Sequence, residues 1–158
     1  MEIIPDLKER IPLSEFSLGW RWDKNHNPEF TLNLLDQIIA FTDTESRRLN
    51  KVIDYFEMEG NLVDGFEDKG WIMASSESDK HILDFRESFY SMTKGFDENL
   101  LVSWDRTTCV YTQKDTFAGY WDDFCFPSSD DITIVSELTN WILFYKHFET
   151  AQFWVRKT

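Results

Sequence analysis

Leu100-Leu-Val-Ser-Trp-Asp-Arg-Thr-Thr-Cys-Val-Tyr111 is where the chain changes character. β-Branched and aromatic residues crowd both sides of a polar break near Asp105–Thr107, the composition of two strands joined by a turn. Further on, Ile132-Thr-Ile-Val135 and Trp141-Ile-Leu-Phe-Tyr-Lys-His-Phe148 predict a hairpin closed by Ser136–Asn140. Its second arm is apolar on both faces as far as Tyr145, the pattern of a central strand covered on both sides. Ala151–Val155 reads as a last strand.

Upstream the apolar period is different. Leu34, Leu35, Ile38 and Phe41 recur at helical spacing, as do Leu49, Val52, Ile53 and Phe56 after a break at Thr42–Thr44. Thr42 and Glu45 have the spacing of a capping box, and Gly60 is a natural stop. Residues 30–58 are therefore expected to be mainly helical. Ser78 or Asp79 opens a third helix through Ile82, Phe85, Phe89 and Met92, with Gly95 beyond it. Residues 1–28 are punctuated by Pro5, Pro12 and Pro28 and read as irregular, apart from a possible strand at Ser17–Trp22. Residues 60–70, with Gly60, Gly65 and Gly70 among acids, read as an exposed loop, and Trp71–Ala74 as a strand. Asp115–Phe124 reads as a short helix followed by a turn at Pro127–Asp130. Helices first and antiparallel strands later predict an α+β fold. Residues 1–158 would form a single α+β domain, its N-terminal helices packed on one face of a mainly antiparallel C-terminal sheet.

The chain of 158 residues has a formal net charge of −13, and that charge is concentrated. Between Asp115 and Tyr145 there is no Lys, Arg or His, while Asp115, Asp122, Asp123, Asp130, Asp131 and Glu137 all fall there. Its densest part is Trp121-Asp-Asp-Phe-Cys-Phe-Pro-Ser-Ser-Asp-Asp131, which mixes rings able to anchor with carboxylates able to steer. Such a surface attracts basic proteins or cations and repels nucleic acid and anionic membranes. No apolar run reaches the roughly 18 residues that a membrane-spanning helix needs. The first residues lack the basic and apolar regions of a secretory signal. A cytoplasmic protein with Cys109 and Cys125 reduced is expected.

The motifs of catalysis are sparse. Cys109, Cys125 and His147 lack the close paired spacing of a zinc site, and no calcium-loop pattern occurs. Asp122/Asp123 and Asp130/Asp131 are the most tempting metal ligands. Adjacent side chains diverge on a helix or strand, however, so each pair would lend one carboxylate to a site rather than two. Cys125 lies among acids, which disfavours a thiolate nucleophile. There is no Gly-x-Ser-x-Gly elbow, phosphate loop or dinucleotide fingerprint. No catalytic residue, metal or cofactor is assigned.

In overall profile the chain resembles bacterial toxin-immunity proteins, which are small, acidic, aromatic-rich α+β domains. The resemblance rests on the Trp121–Asp131 string and the base-free stretch around it. It implies a non-catalytic inhibitor that captures a basic protein, most often a toxin and in some cases a nuclease. Trp121, Asp122, Asp123, Phe126, Asp130 and Asp131 are the expected partner-binding residues, the rings as anchors and the acids as the electrostatic set. A small carboxylate-based or metal-dependent hydrolase and an adaptor of unrelated function are the alternatives.

Overall fold

The structure is a computed structural model that describes residues 2–57 and 65–158. Its frame is an eight-stranded sheet: β1 (Arg10–Ile11), β2 (Ile39–Phe41), β3 (Phe66–Met73), β4 (Leu100–Asp105), β5 (Thr108–Thr112), β6 (Ile132–Ser136), β7 (Trp141–Lys146) and β8 (Thr150–Arg156). The order across it is β1-β2-β5-β4-β6-β7-β8-β3, with every neighbouring pair antiparallel. The helices are α1 (Leu32–Asp36), α2 (Asp43–Glu57), α3 (Asp79–Met92), α4 (Lys114–Gly119) and α5 (Trp121–Phe124). This is the α+β class that the change of period at Leu100 implies. No helix among the described residues is long and apolar enough to cross a membrane.

The register explains why the middle strands carry apolar residues on both faces. Val110, Val102, Ile134, Leu143 and Phe153 are successive cross-strand partners over five strands and lie in one core cluster. One residue along, Leu101, Val135 and Ile142 form a second row in a second cluster. Successive side chains point to opposite faces, so the two clusters are the two sides of one sheet. Helix α3, through Phe85 and Phe89, covers the first together with Phe117 of α4 and Phe124 of α5. Helix α2, through Leu49, Ile53 and Phe56, covers the second. The helices are thus divided between the faces rather than gathered on one. The reason is in β4, β6 and β7, which carry large apolar groups on both sides and need cover on both.

Three local expectations change. The helical period at residues 30–41 breaks after one turn. Thr31 caps α1 by accepting from the Leu34 N–H, and Gln37 closes it onto the carbonyls of Leu34 and Leu35. Ile39–Phe41 then pairs with β1 and β5, sending Ala40 to one core cluster and Phe41 to the other. Cross-strand partners at Val110 and Tyr111 outweigh local propensity there. Residues 66–70 are strand rather than loop, because β8 provides a ladder running from Phe66↔Arg156 to Met73↔Thr150. A bulge between Asp68 and Gly70 holds Gly70 at φ 88°, with the Asp68 carboxylate accepting from the Gly70 N–H at 2.7 Å. Ser17–Trp22 contains a 3-10 turn at Gly19–Trp22, not a strand. A Cβ on Gly19 would sit 1.8 Å from the Leu13 carbonyl oxygen, so only glycine lets this turn abut the 3-10 turn at Leu13–Glu15.

Other local expectations hold. Ser78 caps α3 through the His81 N–H. Thr42 Oγ1 accepts from the Glu45 N–H, the first half of the capping box. Glu45 does not reciprocate; its carboxylate takes the Asp6 N–H and Arg48 instead. The Asp115–Phe124 helix divides into α4 and α5 at Tyr120. The expected stop at Gly60 lies outside the described residues.

Candidate functional site

The turn Gly19-Trp-Arg-Trp22 distributes its three large side chains in three directions. Trp22 is wholly buried, Arg21 is buried, and Trp20 keeps 43% of its surface exposed. Arg21 makes a bidentate pair with Asp130, Nη1 to Oδ2 at 2.7 Å and Nη2 to Oδ1 at 3.1 Å. Its Nη1 also donates to the Phe124 carbonyl at 3.1 Å, and the Phe126 ring lies 4.0 Å from its guanidinium carbon. Asp130 accepts from the Phe126 N–H as well. One buried cation therefore ties the 124–130 loop onto the turn.

That tie sets Trp20 beside Phe126, with ring centroids 5.7 Å apart, and His26 lies 4.9 Å from Trp20 on another side. The Asp23 carboxylate accepts from the N–H groups of Asn25 and His26 and contacts the His26 ring, which lowers its pKa. Asn27, nearly buried, donates to the Arg21 carbonyl at 2.6 Å and to Asp123 Oδ1 at 2.9 Å. Residues 20–27 and 121–126 thus build one patch, with Trp20, His26 and Phe126 as rings and Asp23 and Asp123 beside them.

Asp122 and Asp123 are half-buried. Burial pushes both carboxyls upward, that of Asp123 to about 6, with Asp122 and Glu29 adding like-charge repulsion. The Arg86 charge acts in the opposite sense on Asp122. A carboxyl of this kind can hold or release a proton near neutrality, and it gains from an incoming cation.

The six residues named from sequence separate. Asp122, Asp123 and Phe126 reach the surface. Trp121 does not: it is fully buried, its ring 4.4 Å from Phe85 and its Nε1 donating to the Ile82 carbonyl at 3.0 Å. It belongs to the core, because α5 turns that side of the Trp121–Asp131 string inward. Asp130 is likewise internal, committed to Arg21. Asp131 faces away from it, exposed, and accepts from the His147 N–H and contacts its Nδ1 at 3.0 Å. Adjacent acids diverge here as chain geometry requires.

Trp20, Asp23, His26 and Asn27 were not legible as site residues. Their only sequence signal is the aromatic and charged mixture Trp20-Arg-Trp-Asp23 inside a stretch that otherwise reads as irregular. Both thiols are buried, and burial pushes the Cys109 thiol to about 11 and raises that of Cys125. Neither is an activated nucleophile. Among the described residues, no three His, Cys, Asp or Glu side chains converge as a metal site. The patch offers apolar rings for contact and carboxylates for charge. In comparisons with family models, curated proteins and solved structures, nothing matches this chain.

Proposed function

We propose that the protein is a non-catalytic acidic binding protein that captures a basic partner protein, most plainly a toxin it neutralises as an immunity protein in the bacterial cytoplasm. The observation that carries this reading is the ring group of exposed Trp20 and His26 with half-buried Phe126, set beside Asp23 and Asp123 on a chain of net charge −13. Rings held by internal contacts lose little entropy on binding and make good anchors, and surrounding carboxylates select and orient a cation-rich surface. The electrostatic set now comprises Asp23, Asp122 and Asp123, with Asp131 as a separate exposed acid, and the anchors are Trp20 and Phe126.

The test is capture from the native source at low salt, followed by kinetics on the recovered protein. A single basic partner is expected, with association slowing as salt rises. Phe126→Ala should speed dissociation, and Asp122→Asn/Asp123→Asn should slow association. A partner that is acidic, or one whose binding ignores both salt and these substitutions, would overturn the proposal.

A carboxylate hydrolase has one specific observation in its favour, the Asp123 carboxyl held protonated to about pH 6 beside Asp122. A hydrolytic activity dependent on that proton and abolished by Asp123→Asn would move the assignment to that reading.

A further inference from the structure

Beside the aromatic patch lies a groove of about 700 Å³. Leu13, Leu35 and Trp20 line it together with Asp23, Asp36 and Arg10. Trp20 belongs to both features, so the groove continues the patch. Its wall is preset, since Gly19 brings one 3-10 turn against the backbone of the other.

We propose that this groove receives a long cationic side chain, an arginine, from the basic partner; the inference rests on the partner-binding reading above. An arginine needs apolar surface for its methylene stem and a carboxylate or ring face for its head. Leu13 and Leu35 offer the first, and the half-exposed Trp20, which already has the Arg21 guanidinium carbon 5.7 Å from its ring centroid, lines the groove with aromatic surface. Asp36 offers the carboxylate. It is exposed, and among the described residues its side chain makes no hydrogen bond or ion pair; only its backbone carbonyl is used, by Arg10 Nη2 at 3.4 Å. Asp23 adds a second negative charge, already shared with His26. Arg10 is the opposing charge on the rim, and it sets the sign of the test. For a cationic guest its removal helps; for an anionic guest its removal harms.

The probes are N-acetyl-arginine methylamide, its norleucine counterpart and its aspartate counterpart, each titrated into the full chain. Binding is read from the Trp20 indole N–H and neighbouring amides by ¹H–¹⁵N correlation spectra. The arginine probe should saturate at millimolar concentration with shifts centred on Trp20, Leu13 and Asp36. Asp36→Asn should weaken it about fivefold and Arg10→Gln should tighten it about twofold, as expected for exposed charge contacts. Glu77→Gln, at an exposed acid outside the groove lining, should change nothing. Preference for the aspartate probe, weakening by Arg10→Gln, or shifts confined to other surfaces would overturn the assignment. The two readings fail separately. A captured partner sensitive to Phe126→Ala but indifferent to Asp36→Asn removes the groove and leaves the partner. Arginine bound in the groove with no basic partner captured removes the partner and leaves the groove.

Discussion

Replacing Asp130 with Asn takes away the charge that Arg21 meets through two hydrogen bonds, and leaves the guanidinium buried without a counterion. Loss of one member of such a pair costs about 3–5 kcal/mol, so Asp130→Asn should unfold at much lower urea concentration. Asp131→Asn, at an exposed neighbour, should stay within about 0.5 kcal/mol of the parent. Trp121→Ala should lower stability by about 3–5 kcal/mol in the same melts, since the ring is wholly interior. Asp123 gives a pH signature. Its folded pKa of about 6 lies above the ordinary carboxylate value near 3.9, so in that window the folded chain holds a proton that the unfolded chain has released. Stability contributed by this group therefore falls as pH rises from about 4 to about 6, and the deficit is complete above that. Asp123→Asn should stabilise the protein by about 1 kcal/mol at pH 7, allowing for solvent screening of a half-exposed group, and by almost nothing at pH 4. Asn can still accept the Asn27 hydrogen bond, which keeps the comparison clean. At this scale the string Trp121–Asp131 showed where acids and rings concentrate, but not which of them face inward. That depends on Arg21, a residue about a hundred positions away.

Among elements, the hairpin β6–β7 was legible because its sequence is close to self-sufficient: two apolar arms, a short connection, and a register fixed by Ile132↔Tyr145 through Val135↔Ile142. Helix α3 was legible for a similar reason, with its cap and its buried face both local. Strand β2 was not, and of β3 only the end at Trp71–Met73 was, since each exists by pairing with a strand remote in sequence, β5 and β8 respectively. The pair of 3-10 turns is set by a single close approach at Gly19. Gly19→Ala should cost about 1–3 kcal/mol by overpacking and should also reshape the groove wall. A melting curve measures the first effect. Loss of the arginine-probe shifts in the refolded variant measures the second.

For the molecule as a whole, the net charge of −13 acts at longer range than any contact. Asp122→Asn/Asp123→Asn should slow association with a basic partner about three- to tenfold at low salt, and hardly at all near 1 M salt, where screening acts within a few ångströms. Stopped-flow rates against ionic strength decide this. The sign of that charge could be read from composition, but the patch could not, because residues 20–27 and 121–126 meet only in the folded chain. The strand order has a consequence for the growing chain as it leaves the ribosome. Except for the two residue pairs joining β1 to β2, the early strands have no ladder of their own: β2 waits for β5, and β3 waits for β8. Helices α2 and α3 likewise have no finished sheet to cover until β6 and β7 have been made. Such non-local pairing favours slow closure, and it leaves the first half of the nascent chain with apolar faces uncovered until the last strand is released. Synthesis that stops short of Thr150 would thus yield a polypeptide dependent on chaperones rather than a smaller folded version of the protein.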